Sequence, residues 1–408
     1  SWHEWLIDTN RLLRSHTVGS AIREHYGPDA YRQIKTWVED IAEGDQPAAN
    51  AGEVALGWLR QGVSAAGLGF NVMSAAIQIT GFNQSVVRVG ARWVGRGVAK
   101  YLGGPVELTR KVNQMSSFME NRARTRFREL NELRNRVQGQ SAFQEFIGRY
   151  AYFMMMRVQQ AVDVPTWWGA YEKALAGGAD ESKAVALADQ AVLDAQSGGQ
   201  TKDLSAIERG NQPLRLFTVF YSFMNAVLNL GVAQTMTADT PKKRAKLAVD
   251  YLLLFVVPVV LGYALKNALT PGDSGDDEWG DVAKKMLAEQ LSFLFGLMVV
   301  VREFAEVGKI VAGVPSFGYQ GPAGVRVVSD ALKLAQQTRQ GEFDDAFRKA
   351  FINVAGSLFG LPAAQANRTI TGAQALAEGK TDNPAAIAFG FQEAPLTRGG
   401  ARISAPGG

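Results

Sequence analysis

The sequence predicts an all-α protein, a bundle-like assembly of many helices that includes long amphipathic helices and several very apolar ones. Three observations support this fold class. Apolar residues recur at intervals of three and four through most of the 408 residues, which is the spacing of one helical face. Long stretches rich in Ala, Leu and Gln have high helix propensity. Hydrophobic residues make up 47% of the chain and charged residues 20%, as in chains that pack a core.

Turn residues and shifts in composition divide the chain into six segments. They are an N-terminal helical segment (1–48), a small-residue-rich helix with basic amphipathic helices (49–140), a helical core (141–240), apolar helices (241–322), C-terminal helices (323–384) and a tail (385–408). The tail is rich in Gly, Ala and Pro and lacks helical periodicity, so we expect it to be extended.

Helix boundaries follow from caps and breakers. We predict two short helices before residue 45, separated at Gly27-Pro28. A helix from Phe143 is expected to end at 163–165, because proline interrupts the hydrogen-bond ladder. Asp180 is the expected N-cap of a helix that reaches about Gln196. Further helices are predicted over residues 106–138, 214–236, 247–269, 282–312, 323–340, 343–359 and 369–377.

The composition excludes several kinds of chemistry. The chain has no cysteine, which rules out disulfides, zinc–thiolate sites, iron–sulfur clusters and cysteine nucleophiles. Its three histidines are His3, His16 and His25, and none has metal-ligand spacing. A Walker-type phosphate-binding motif does not occur. We therefore expect no enzyme activity, catalytic residue, metal, cofactor or small-molecule substrate.

An uncharged stretch between Gln61 and Val87 is the first unusual feature of the sequence. Gly62 and Ala66 are four residues apart, as are Ala65 and Gly69, and small residues at this spacing allow two helices to approach closely. Such approaches occur in membranes and in tight soluble bundles. The candidate membrane-inserting residues here are Phe70, Ile77 and Phe82.

Basic residues follow this stretch at helical spacing. On one helix, Arg88, Arg92, Arg96 and Lys100 would form a continuous basic stripe. A second set lies on the predicted 106–138 helix and consists of Arg122, Arg124, Arg126 and Arg128. Three interpretations remain open: contact with anionic lipid headgroups, non-specific contact with DNA phosphates, or a solvated helical face.

Two apolar runs, Tyr251–Leu265 and Leu291–Val301, are shorter than the roughly 20 residues that span a bilayer. Basic residues precede the first run, from Lys242 to Lys246. The runs are either core helices or membrane-contacting segments, and a protein that first buries and later inserts them would fit both interpretations. The membrane-inserting candidates are Leu253, Phe255, Pro258, Leu261, Phe293, Phe295 and Leu297.

Several motifs in the middle of the chain carry a resemblance to a known group of proteins. They are PTWWGAYEKAL (165–175), ALADQAV (186–192), QSGGQ (196–200), KDLS (202–205) and LFTVFYSFMN (216–225). Their order resembles the helical carboxy-terminal region of large phage and prophage polyproteins, which include the internal virion (ejection) proteins of tailed phages and large polyvalent proteins. From the residues alone, Trp167-Trp168 is either a core cluster or an interfacial aromatic anchor.

The resemblance implies a protein that is packaged inside the capsid and delivered with the genome into the host cell envelope. The partners it implies are other virion proteins of the portal or inner core, further copies of the chain, host membrane lipids and phage DNA bound non-specifically. An alternative is a non-enzymatic scaffold that anchors upstream enzyme domains in the virion.

Overall fold

The computed structural model describes residues 2–43, 51–125, 150, 152–198, 203–205, 208–209, 221–269, 323–341 and 343–391. Every regular element in these ranges is helical and no strand occurs in them, which confirms the predicted all-α fold class. The predicted helix over 282–312 lies outside the described residues.

The N-terminal unit consists of α1 (Trp2–Arg14), α2 (His16–Tyr26) and α3 (Pro28–Glu43). The predicted break at Gly27 is present, and this glycine has a φ of 87°. The prediction of two helices is wrong, because Ser15 adds a second break. Its side chain caps α2 by accepting a hydrogen bond from the Val18 amide. A small apolar core of Leu6, Leu13 and Val38, with Ile22 of α2 packed against it, holds the three helices together.

Six helices follow before the central core. They are α4 (Ala51–Leu68), α5 (Val72–Ile77), α6 (Phe82–Val89), α7 (Ala91–Gly103), α8 (Pro105–Met115) and α9 (Ser117–Thr125). Gly90, with a φ of 103°, separates α6 from α7. The prediction of one continuous basic stripe is therefore wrong, because Arg88 lies on α6 whereas the other three cations lie on α7.

The predicted 106–138 helix is interrupted at Ser116, so the expectation of one long helix there is wrong. The Ser116 hydroxyl accepts a hydrogen bond from the Met119 amide at 3.0 Å. It also donates to Oδ1 of Asp189 at 2.6 Å. Because the Ser116 side chain bonds both to the backbone at the start of α9 and to Asp189 of a distant helix, it favours a break in the helical hydrogen bonds at this position.

The core is organised around α10 (Phe153–Ala176), which is flanked by α7 and by α11 (Glu181–Gln196). The predicted end of α10 at Pro165 is wrong, and the helix continues for three more turns. Every residue from Val162 to Tyr171 is buried. Burying a large apolar side chain stabilises by about 1.5–3 kcal/mol, so several of them offset the roughly 3 kcal/mol that an internal proline costs.

The predicted N-cap of α11 is confirmed. The Asp180 carboxylate accepts a hydrogen bond from the Lys183 amide at 2.8 Å. Asp180 has extended backbone angles, as N-cap residues usually do. The helix ends at Gln196, as predicted, because Ser197 turns to a positive φ of 56°.

Two glycines allow α7 and α10 to cross with their backbones in contact. A Cβ on Gly97 would lie 2.0 Å from the Pro165 carbonyl oxygen, and one on Gly169 would lie 2.4 Å from that of Trp93. A glycine also allows close backbone contact in the uncharged stretch. A Cβ on Gly62 of α4 would lie 1.7 Å from the Ser357 carbonyl oxygen, so the predicted close approach of small residues is confirmed there.

An antiparallel helical pair follows the core. It comprises α12 (Tyr221–Met236), α13 (Pro241–Tyr251), a π-helical turn (Leu252–Val256) and α14 (Val257–Leu269). The chain from 241 to 269 is thus one long helix with a wide turn just before Pro258. The wide turn gives the Pro258 ring room beside the carbonyl of Leu254, which would otherwise crowd it.

Four helices end the described chain: α15 (Ala323–Gln340), α16 (Asp345–Phe359), α17 (Ala363–Ala377) and α18 (Ala386–Phe389). The bounds of α15 equal the prediction, and α16 begins two residues later than predicted. The predicted start of α17 at Thr369 is wrong, since the helix begins six residues earlier. The expectation of an extended tail is also wrong at its beginning, where α18 forms. α15, α16 and α17 pack on α4.

The α7–α10 crossing can be tested with a pair of alanine substitutions on the same helix. We expect Gly97→Ala to destabilise the protein by about 1–3 kcal/mol or more, because the added methyl overpacks the crossing. Gly95→Ala is the matched control, since a Cβ there has no neighbour within 4 Å. It should raise stability by up to about 1 kcal/mol through helix propensity. Urea unfolding followed by circular dichroism measures both, and equal midpoints would contradict the crossing.

Candidate functional site

The helix Pro241–Leu265 is the one helix of the described chain that is long and apolar enough to cross a membrane, judged by length and composition. Only 11% of its most apolar window is buried, whereas a core helix of a soluble protein would be mostly buried. We call this 25-residue helix the apolar helix. Its outward side is a row of large apolar residues that are exposed: Val249, Leu252, Val256, Val260 and Leu261.

The inward side of the apolar helix holds it on the protein. Leu254 is fully buried and packs with Val87, Val227 and Leu230. The Phe255 ring lies close to Gly231 of α12. These contacts fix which side of the helix faces solvent, so the exposed row is a property of the fold.

The charged side chains of the apolar helix all lie in its amino-terminal half. The Asp250 carboxylate is buried and pairs with Lys246 one turn earlier. Lys243 pairs with Asp239 at 2.8 Å. Lys242 and Arg244 are exposed. This end therefore carries four cations against two carboxylates, beside an uncharged outward side.

The predicted membrane-inserting residues lie in different places. Leu261 is 45% exposed on the outward side, whereas Leu253 and Phe255 pack against the buried cluster that contains Leu254. Pro258 is partly buried. In this conformation Leu253 and Phe255 hold the helix on the protein, and their contact with lipid stays a prediction. Phe293, Phe295 and Leu297 lie outside the described residues.

The membrane-inserting candidates of the uncharged stretch are also partly packed inside the protein and partly exposed. Phe70 and Phe82 are partly buried and pack against separate apolar clusters, so both serve the core in this conformation. Ile77 is 40% exposed. The stretch as a whole is largely buried, and its small residues serve helix crossings.

Among the predicted lipid- or DNA-contacting cations whose side chains the structure describes, Arg88, Arg96 and Arg122 form ion pairs within the protein. Nε of Arg88 lies 2.6 Å from Oδ2 of Asp194. Nε of Arg96 lies 2.9 Å from Oε2 of Glu172, and the Arg92 guanidinium lies over the Trp93 ring. Lys100 is exposed. Arg124 lies in α9 without a described side chain, and Arg126 and Arg128 lie outside the described residues.

Arg122, a candidate for lipid or DNA contact, is buried in this conformation and pairs inside the protein. Its side chain is 4% exposed, and Nε lies 2.7 Å from Oδ2 of Asp163, which is 6% exposed. The guanidinium also donates to the carbonyl of Ser197 at 2.7 Å and to that of Gln196 at 3.4 Å. Arg122 therefore ties α9 to α10 and to the carboxyl end of α11.

A chain of buried polar side chains extends this ion pair. Gln159 donates to Asp163 at 2.8 Å. Gln196 donates to the Gly81 carbonyl at 2.7 Å and to the Ser85 hydroxyl at 3.0 Å. The network links α6, α9, α10 and α11 with the 3-10 turn Gln78–Gly81. Sequence reasoning missed it, since its members are separated by up to 115 positions.

The aromatic pair Trp167-Trp168 belongs to the core, which decides between the two interpretations of the sequence. Trp167 is fully buried and stacks on Tyr171 with ring centroids 5.2 Å apart. Its indole N–H donates to Oδ1 of Asp189 at 2.7 Å. Burial raises the pKa of Asp189, although the hydrogen bonds from Ser116 and Trp167 act in the opposite direction.

In the described ranges, no three acidic or histidine side chains are grouped closely enough to hold a metal ion. No protein-family model matches the chain, and neither a curated protein nor a solved structure is significantly similar to it. The apolar helix with its cationic end is therefore the feature that carries the functional argument.

The buried ion pair can be tested by removing one partner. Arg122→Met should destabilise the protein by about 3–5 kcal/mol, because Asp163 would be left as an uncompensated buried charge. The matched control is Arg96→Met, which breaks a partly exposed pair and should cost about 1 kcal/mol. Adding Asp163→Leu to Arg122→Met should restore much of the loss. Equal urea midpoints for the two single variants would contradict the role of the pair.

The raised pKa of Asp189 predicts a pH dependence of stability. A carboxyl with a raised folded pKa contributes stability below its unfolded pKa, and this contribution is lost as the pH rises through the folded pKa. Asp189→Asn keeps an acceptor for Ser116 and Trp167 but does not ionise. The variant should therefore gain stability relative to wild type between pH 4 and pH 7. Thermal unfolding at both pH values measures it, and a constant difference would refute the prediction.

Proposed function

We propose that this protein binds lipid bilayers through the outward side of the apolar helix. The observation that carries the proposal is the exposed apolar row of a long helix whose opposite side is fixed to the core. A contiguous exposed apolar surface marks a protein or membrane contact. The cationic end of the same helix favours a membrane, because anionic headgroups attract basic residues next to an apolar segment.

The biological setting of the proposal comes from the resemblance of the central motifs to phage internal virion proteins. In that setting the protein travels from the capsid into the host envelope and assists genome delivery by engaging the inner membrane. Detection of the chain by mass spectrometry in purified virions, and again in host membranes after infection, would support this setting. Its absence from virions would refute it and leave the lipid contact to be judged alone.

A second candidate function is a soluble scaffold that anchors other domains. The internal pairing of Arg88 and Arg96 favours it, because a cation paired with Asp194 or Glu172 is less available for lipid or DNA. A scaffold would show no affinity for vesicles at any salt concentration. The two functions therefore separate in one binding experiment.

The test is co-flotation of the protein with phosphatidylglycerol-containing vesicles. We expect wild type to float and the double variant Leu252→Asp, Val256→Asp to lose affinity by about a hundredfold or more, since each change removes an apolar side chain whose burial contributes about 1.5–3 kcal/mol. Both positions are exposed, at 54% and 38%, so folding should persist.

The control variant places the same charges on exposed apolar residues elsewhere. Val106→Asp with Leu332→Asp changes positions that are 83% and 66% exposed and adds the same net charge. This variant should float like wild type. If wild type stays with the soluble fraction, or if both double variants lose binding equally, the apolar helix is not the membrane contact.

A further inference from the structure

A concave pocket of about 390 Å³ lies where α6, α10 and α11 meet. Three cations line it, Arg88, Lys173 and Lys183, together with alanines and the larger apolar residues Val89 and Leu187. Pockets that hold small ligands commonly start at about 300 Å³. The pocket thus combines positive charge with an apolar wall.

Two of the three cations have no carboxylate partner in the part of the chain that the structure describes. Arg88 shares its charge with Asp194. The Lys173 ammonium donates to the Val89 carbonyl at 2.8 Å, which supplies a hydrogen bond but no full negative charge. No ion pair involves Lys183. Lysine ammonium groups provide three donors each, so most of this donor capacity is available to a ligand.

The positive charges act on one another. Burial lowers the pKa of Lys173, and the charges of Arg88 and Lys246 lower it further. The charges of Arg88 and Lys173 therefore disfavour each other, and a bound anion would offset this repulsion. Charge-assisted hydrogen bonds are among the strongest in proteins, and both arginine and lysine bind phosphate.

The position of the pocket connects it with the apolar helix. Lys246 belongs to the cationic end of that helix and is close enough to influence Lys173. If the outward side of the helix meets a bilayer, this end belongs at the level of the headgroups. The apolar walls of the pocket suit the glycerol carbons next to a phosphate.

We propose that the pocket formed by Arg88, Lys173 and Lys183 binds a phosphate ester. The ligand chemistry is an anionic phosphate with a short apolar or glycerol substituent, supplied by a phospholipid headgroup or by a soluble phosphate ester. Only the lipid source rests on the proposed membrane function. Phosphate binding by the pocket itself does not.

The experiment is isothermal titration of the full chain with two soluble probes, glycerol phosphate and dihexanoyl phosphatidylglycerol. We expect both to bind, and Lys173→Gln with Lys183→Gln to weaken binding about tenfold or more, because charge-assisted hydrogen bonds are lost. The matched control is Lys333→Gln with Lys380→Gln, two exposed cations outside the pocket that change the net charge equally. It should bind within a factor of two of wild type.

The outcomes separate the sources and the two proposals. Binding of both probes assigns the pocket to phosphate esters in general, and binding of the lipid alone assigns it to headgroups. If neither probe binds, or if the control variant weakens binding equally, phosphate binding by the pocket is refuted. The membrane proposal is unaffected, because vesicle flotation can still succeed. Conversely, Leu252→Asp with Val256→Asp should keep glycerol phosphate binding when flotation is lost.

Discussion

The buried ion pair between Arg122 and Asp163 is the constraint on which the described core depends. A charge pair removed from water is tolerated only when the remaining donors and acceptors are also satisfied. Here the guanidinium reaches the carbonyls of Ser197 and Gln196, so the carboxyl end of α11 must lie beside α9 and α10. The amide of Gln196 then reaches the Gly81 carbonyl and fixes the turn before α6. One pair of charges thus sets the relative positions of the helices that carry the cationic pocket.

Local signals in the sequence predicted the fold class and several boundaries. Asp180 was identifiable as a cap because its side chain acts within three residues, and α15 because its periodicity is uninterrupted. The close helix crossing at Gly62 followed from small-residue spacing alone. Such features need no knowledge of distant parts of the chain.

The errors and the missed contacts share a different physical cause, namely dependence on partners far away in the sequence. Arg122 lies among other arginines, and nothing local distinguishes the one that faces Asp163, 41 residues later. The continuation of α10 through Pro165 depends on burial from several sides, which no helix signal encodes. The three cations of the pocket come from positions 88, 173 and 183, so they form no motif along the chain.

The one-sided attachment of the apolar helix has a mechanical consequence for any bilayer it meets. Because Asp250 and Leu254 remain engaged with the protein, the helix would lie parallel to the membrane plane and enter a single leaflet. Such a shallow wedge expands the outer monolayer without displacing the inner one. It would bind strongly curved or loosely packed lipid more readily than flat, tightly packed lipid, and it would leave the permeability barrier intact until further segments of the chain followed.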